Sequence, residues 1–430
     1  MSRPMVRPAR RLTTPLILMG ALLIAGCGSD AESANEGAGM LAFEGARIIT
    51  GDGSQAIDNG TVLVHDGRIQ WVGASADADV PSGASRVAME GKTIMPTLVN
   101  AHVHLASERA EREDQLRHMA YWGAGAVISL GLDEGDLGLA MRAETPADGA
   151  RSQSAGRGIT APEPGRSEVP HWVTTEDEAR AAVQELAGQG VDFVKIWVDS
   201  RGGQYDRLSP ELYGAVIDEA HANDLRVTAH VFTLEDAKGL LRAGIDAFAH
   251  GIRDMDVDDE LMALWAERPD VVLVPNLPNP GVPVELGWLS PTTAPETLEG
   301  MQEAASRENP AAQESFGIQA RNLARLHGAG VKVAFGTDGS SPWAVHMEME
   351  DMVRSGMTPA QVLHSATGQS ADLLRLTDTG TLAEGMSADF IVLDANPLDD
   401  ITNTRTVSAV YLRGLELDRE GLAARFRAGS

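Results

Sequence analysis

Short apolar runs closed by Gly, Pro or Asp recur along this chain, and several end in a histidine or an acid. Between residues 41 and 95 the runs are brief and turn-bounded: Ala46-Arg47-Ile48-Ile49-Thr50, Thr61-Val62-Leu63-Val64 and Arg68-Ile69-Gln70-Trp71-Val72. That pattern predicts strands. It returns near the other end, in Asp389 to Leu393 and in Val407 to Leu412. The two β-rich ends predict one small sandwich built from both. From residue 97 the pattern changes. Apolar runs at about 97–103, 126–131, 157–160, 192–198, 226–231, 246–250, 271–275 and 331–337 alternate with amphipathic stretches. One of these, Leu234 to Arg242, has acids early and bases late, as the helix dipole favours. Alternation of this kind predicts parallel βα units. The stretch from Asn276 to Asn309, rich in Pro, Leu, Trp and Glu, reads as an excursion that shapes or covers a pocket.

The first 40 residues follow different rules. Arg3, Arg7, Arg10 and Arg11 precede an apolar segment, Leu12 to Ala25, and then Gly26-Cys27. This is the layout of a secretory leader. Leu23-Ile24-Ala25-Gly26-Cys27 resembles a bacterial lipoprotein lipobox, which implies a signal peptide at 1–26 and lipidation of Cys27. Residues 27–39, small and polar, would be a flexible tether. Gly28 is not the aspartate of an inner-membrane retention signal, so an outer-membrane lipoprotein facing the periplasm is expected. Cys27 is the only cysteine, so the folded part holds no disulfide. With 62 acidic against 35 basic residues the formal charge is −27, and loss of the leader arginines deepens it. That disfavours nucleic acid and anionic lipid as partners, so no nucleic acid is expected and the lipid on Cys27 is the expected membrane contact. A homo-oligomer is compatible with this composition.

The candidate chemistry sits at the ends of the middle runs. Pro96-Thr97-Leu98-Val99-Asn100-Ala101-His102-Val103-His104 puts two imidazoles on one face of a strand, a start for a zinc site. Lys195, inside Val191-Asp192-Phe193-Val194-Lys195-Ile196-Trp197-Val198, would be a costly buried ammonium. It either pairs with Asp192 or Asp199, or reacts as a neutral amine with carbon dioxide to give an anionic carbamate. His230 and His250 each close a further run, and Asp338 ends another before a glycine.

The ordered set His102, His104, Lys195, His230, His250 and Asp338 resembles the metal centre of the amidohydrolase superfamily, in its imidazolonepropionase-like and Xaa-Pro dipeptidase-like branch. Thr228-Ala229-His230, Phe248-Ala249-His250-Gly251 and the tail from Gly356-Met357-Thr358-Pro359 through Gly385-Met386-Ser387-Ala388-Asp389-Phe390-Ile391-Val392-Leu393 carry the closest likeness. Two departures stand out: Pro96-Thr97 where the family often has Pro-Gly, and Ala249-His250-Gly251 where it often has Glu-His-Gly. The resemblance implies an α/β fold, a (β/α)8 TIM-like barrel over 96–382 with a β-sandwich from 40–95 and 383–430. It also implies two divalent ions, zinc favoured. His102, His104 and Asp338 would hold one ion, His230 and His250 the other, and carbamylated Lys195 would bridge them. A metal-bridging hydroxide would attack, with Asp338 as proton carrier.

Three residues are expected at the substrate: Arg253, pairing a carboxylate unless Asp254 or Asp256 claims it, and His171 and Tyr205, on loops after the third and fourth strands. His346 is a weaker candidate of the same kind. The expected reaction is hydrolysis of a C–N bond in a small amide, such as a dipeptide or N-acyl amino acid. A lactone, carboxyl ester or organophosphate hydrolase is the alternative enzyme. A lipoprotein module that binds solutes is the alternative outside enzymes, and the intact ligand set speaks against it.

Overall fold

The computed structural model describes residues 37–429. The leader, Cys27 and most of the tether, and with them the expected lipid anchor, lie outside the described residues.

Strands from both chain ends share one continuous sheet. Leu41–Ile48, Ile57–His65, Arg68–Ala74, Ser85–Ala88 and Thr93–Pro96 come from one end; Phe390–Leu393, Val407–Leu412 and Leu415–Glu416 come from the other. Leu41–Ile48 forks the sheet. Residues of its first half pair parallel with Ser85–Ala88, and Arg47 and Ile48 pair parallel with Thr93 and Ile94. The ends are joined by the antiparallel ladder of Thr93–Pro96 against Phe390–Leu393. Period-two alternation sends Val62, Val64, Ile94, Phe390 and Val392 into one cluster. Phe43 closes it, its ring edge-on to Phe390 and Tyr411 at 5.1 and 5.0 Å.

The middle of the chain is a parallel β/α array. Leu98–Val103, Ala124–Ser129 and Arg151–Ser154 form its first sheet. The second runs Ile159–Thr160, Val194–Trp197, Val227–His230, Ala247–Ala249, Val272–Val274 and Lys332–Val333. Backbone bonds cross both seams: Asp192 N–H donates to Ser154 O at 2.9 Å, and Ala101 N–H to Phe335 O at 2.8 Å. The segment just beyond the last strand is thus hydrogen-bonded to the first strand. Val99, Ala101, Ile128, Phe193, Val274 and Ala334 pack together inside the array, and a larger apolar layer lies between strands and helices. The α/β architecture expected from the sequence, a TIM-like barrel with an added β-unit, is the one found.

Two details differ from expectation. The third strand was placed at 157–160, but the segment that pairs with Ala124–Ser129 is Arg151–Ser154. Gly156, at φ 58°, breaks the run, and Ile159–Thr160 pairs instead with Val194–Trp197 and with a short strand, His171–Trp172. His171 thus lies in a strand, not a loop. The helix Leu234–Ala243 is as expected, capped by the Thr233 side chain and ended by Gly244 in the left-handed region. The excursion after Asn276 carries a 3-10 turn, Gly287–Leu289, and a helix, Pro295–Ala305.

Candidate metal centre

Every strand in this array runs the same way, so residues at the C-terminal ends converge on one face. His102 is buried near the end of Leu98–Val103 and His104 lies just beyond it. Lys195 points inward from Val194–Trp197 with no exposed surface. His230 ends Val227–His230, and His250 follows Ala247–Ala249. Asp338 is drawn in by its own backbone, whose N–H donates to His102 O at 2.9 Å. Its carboxylate then sits among the rings. Oδ1 is 3.1 Å from His102 Nε2 and 3.2 Å from His104 Nε2, while Oδ2 is 3.4 Å from His250 Nε2. His102, His250 and Asp338 offer ligand atoms within 4.8 Å of one another. Lys195 Nζ lies 3.4 Å from His102 Nε2.

Backbone strain accompanies the convergence. Arg201, His250, Asn276 and Asp338 adopt φ of 53°, 83°, 43° and 51°. Each such residue costs of order 1–3 kcal/mol, and strain of this kind gathers where side chains must be aimed. Gly336 completes the packing. A Cβ there would lie 2.8 Å from His102 Cβ and 2.7 Å from Val274 Cγ1, so only glycine lets the last strand approach the first histidine.

Burial sets the charge states. It holds the His102 and His250 imidazoles well below their usual range, with Lys195 adding to the effect on His102 and His230 to that on His250. His230 falls to about 4 for the same reason, opposed by its hydrogen bond to Asp199. Neutral imidazoles are the form that binds metal. The Lys195 ammonium is pulled down to about 7 by burial, against the attraction of Asp338. Burial pushes the Asp338 carboxyl up, yet His102, His104, His250 and Lys195 together keep it well below the ordinary carboxylate range. The tautomer of His102 is set from behind. Its Nδ1 lies 2.8 Å from Asn276 Oδ1, an acceptor, so Nδ1 carries the proton and Nε2 presents its lone pair.

The remaining expectations fare differently. Neither proposed acid partner of Lys195 reaches it: Asp192 binds Arg142, and Asp199 binds Arg201. Asp199 also lies 3.1 Å from His230 Nε2, and Arg201 Nη1 is 3.1 Å from the same nitrogen. His230 therefore faces that pair, its ring centre 4.5 Å from His250. Arg253 escapes both acids named for it, because Asp254 accepts from Leu234 N–H and Asp256 binds Arg321. It stacks on Phe232, 3.6 Å from the ring centre, and Nη2 reaches within 3.3 Å of His250 Nδ1. His171 points elsewhere, toward Glu185 of the helix Glu176–Gln189, at 3.8 Å. Tyr205 donates its hydroxyl to Pro164 O at 3.2 Å, tying two loops together. His346 is buried among Trp122, Trp288 and Thr404, away from these ligands.

A cavity of about 360 Å³ opens on the centre, with His104, His230 and Asp338 on one side and Arg166, Arg201 and Glu163 among its other walls. Glu163 is buried and binds both arginines, accepting from Arg166 Nη1 at 2.7 Å and Arg201 Nε at 2.9 Å. Arg201 Nη2 is buried and has no hydrogen-bond partner. The arrangement can hold divalent metal beside an anion-accepting wall. Asn276, Glu163 and Arg201 were not foreseen from the sequence, although Asn276 directly follows an apolar run and Pro275, as a strand-end ligand would.

A family model described as the amidohydrolase family matches residues 93–416. An uncharacterized protein of Mycobacterium tuberculosis is 29% identical over 366 residues, covering 80% of this chain and 90% of its own length. An imidazolonepropionase of Salinispora tropica is 27% identical over 362 residues, covering 78% and 85%. Among solved structures, a Bifidobacterium longum protein described as a candidate prolidase superposes with a TM-score of 0.72 at 28% identity, over 90% of this chain and 98% of that one.

Proposed function

Since the chain belongs to the amidohydrolase family, and as such is a metal-dependent hydrolase of C–N bonds, we propose that its substrate is a small amide bearing a carboxylate, of the dipeptide or N-acyl amino acid kind. The observation that carries this reading is the 360 Å³ cavity, where Asp338 and two histidines face Arg166 and Arg201. Arg201 Nη2, buried without a partner, has a donor to give to a carboxylate. Arg253, first expected in that role, serves in this reading to hold His250.

The donor set fits divalent metal. His102 turns its unprotonated Nε2 toward Lys195 and Asp338, and His250 Nε2 is buried with no hydrogen-bond partner. His102, His104, His230, His250, Asp338 and Lys195, as its carbamate, would hold the ions, with zinc favoured by the imidazoles. The metal supplies Lewis acidity, acidifying a water and polarising the scissile carbonyl. Lys195 forms its carbamate when the neutral amine attacks carbon dioxide: a C–N bond forms and one proton leaves. Asp338, set among three imidazoles, takes the proton of the attacking water and hands it to the leaving nitrogen.

Metal analysis of the purified protein, followed by a substrate panel, tests this reading. Two zinc ions per chain are expected, with hydrolysis of amides that end in a carboxylate and at least tenfold loss on C-terminal amidation. Preference for lactones or esters over every amide would shift the assignment to the alternative hydrolase. Absence of tightly held metal after treatment with zinc and bicarbonate would refute the mechanism. Our reading also places the protein at the bacterial cell envelope through Cys27; Cys27→Ser is expected to release it from the membrane fraction.

A further inference from the structure

A second cavity, of about 290 Å³, is lined by Thr337, the residue before Asp338, which lines the first. Leu277, Val284, Leu286, Trp343 and Met347 make its walls largely apolar. Its acids stand on one helix, Ala344–Arg354, which brings Glu348 and Asp351 to the cavity. Asp351 is bound by Arg354. Glu348 has no such partner. It is 6% exposed, and both carboxyl oxygens turn to a single backbone donor, Leu277 N–H, at 3.1 Å. Arg253, whose charge only partly offsets the effect of burial on Glu348, is engaged with His250 and Phe232. Arg307, on the cavity's lining, is bound to Glu303.

Burial raises the Glu348 carboxyl well above the ordinary carboxylate range, with Asp351 and Asp338 adding to the effect, so its ionised form is costly without a cationic partner. A ligand that brings positive charge and N–H donors would offset that cost. The cavity at the metal centre is more polar, with Arg166 and Arg201, both bound to Glu163, in its wall and Arg201 Nη2 left without a partner. Thr337 and Asp338, consecutive in the chain, thus line an apolar cavity that holds an acid and a polar cavity that holds two arginines.

Resting on the hydrolase reading above, we infer that Glu348 selects substrates with a free ammonium. The substrate is a dipeptide. Its N-terminal apolar side chain fills the Leu277–Met347 cavity, its α-ammonium meets Glu348, and its carboxylate lies at Arg166 and Arg201. An N-acyl amino acid of the same size satisfies the arginines but leaves Glu348 unmatched.

The test compares leucyl-glycine with 4-methylpentanoyl-glycine, which differs only by loss of the amine. The purified full-length protein, reconstituted with zinc and bicarbonate, should cleave leucyl-glycine with at least tenfold higher kcat/KM, the difference lying in KM. Glu348→Gln, which keeps an acceptor for Leu277 N–H, should bring the ratio near one. Met347→Trp, which fills the cavity, should shift preference from leucyl-glycine to glycyl-glycine by tenfold or more. Equal cleavage of the two leucine-shaped substrates, or an unchanged ratio in Glu348→Gln, would overturn the inference and leave the hydrolase reading intact. Calorimetric binding of the same two compounds ranks them without turnover. Equal affinities would overturn the inference, whereas tighter leucyl-glycine binding with no cleavage would uphold it and count against the hydrolase reading alone.

Discussion

Replacing Lys195 by methionine should make the metal-free protein more stable at neutral and acid pH while removing its activity. Lys195 has no exposed surface, and burial lowers its ammonium from 10.5 to about 7. A displacement of that size corresponds to about 5 kcal/mol between the two protonation states. The sign follows from proton counting. Between pH 7 and 10.5 the unfolded chain holds a proton on this lysine that the folded chain has lost, so folded stability rises with pH through that window. Below pH 7 the cost is carried in full. Methionine has similar length and no charge, so it removes this cost and forfeits the 3.4 Å contact with His102 and the attraction of Asp338. The net gain should be about 2–5 kcal/mol at pH 6, shrinking toward zero or reversing by pH 10.5. Denaturant unfolding of both proteins, stripped of metal and followed at several pH values, measures the difference directly. A wild type more stable than Lys195→Met at pH 6, or a difference independent of pH, would refute the reasoning. Metal content and turnover of the reconstituted variant complete the experiment: both should fall, because no carbamate can form.

Three further substitutions probe the centre. Asp338→Asn should keep bound metal but reduce kcat by about 100- to 10,000-fold, the usual worth of a positioned proton carrier; near-normal turnover would remove Asp338 from the mechanism. Asn276→Ala frees the His102 ring from its 2.8 Å tether, and metal affinity measured by chelator competition should drop about 10- to 100-fold. Gly336→Ala would force a methyl to 2.8 Å from His102 Cβ, so activity should fall sharply and the melting temperature by several degrees, with an unchanged melting temperature arguing that the strand can shift.

The sequence shows the centre where chemistry coincides with punctuation. His102, His104, His230, His250 and Asp338 each end an apolar run, and parallel strands bring such ends together whatever their separation along the chain. What supports them is less visible. Asn276 reaches His102 across 174 positions, and although it closes an apolar run, an asparagine after Pro275 reads first as the start of a loop. Glu348 sits in an amphipathic helix where an acid normally reads as solvent-facing, and only the docking of that helix against Leu277 buries it. His171 was misplaced because the third strand is broken at Gly156, which moved the apparent strand and the loop after it. The partners of Arg253 were misjudged by proximity: Asp254 and Asp256 lie next to it in sequence but serve a helix start and Arg321. The lone partnering carboxylates suggested for Lys195 failed for the same reason.

The ladder between Thr93–Pro96 and Phe390–Leu393 has a consequence for how the protein is made. The strand carrying His102 begins at Leu98, two residues after that ladder ends. A chain still on the ribosome shows Ile94 and Met95 as an open edge until residues near 390 emerge. A product truncated before Phe390 keeps every proposed ligand yet leaves the edge beside the first strand unpaired, a target for proteolysis and aggregation. The strand bearing His102 is therefore braced only after Phe390–Leu393 has been made, long after the histidine itself.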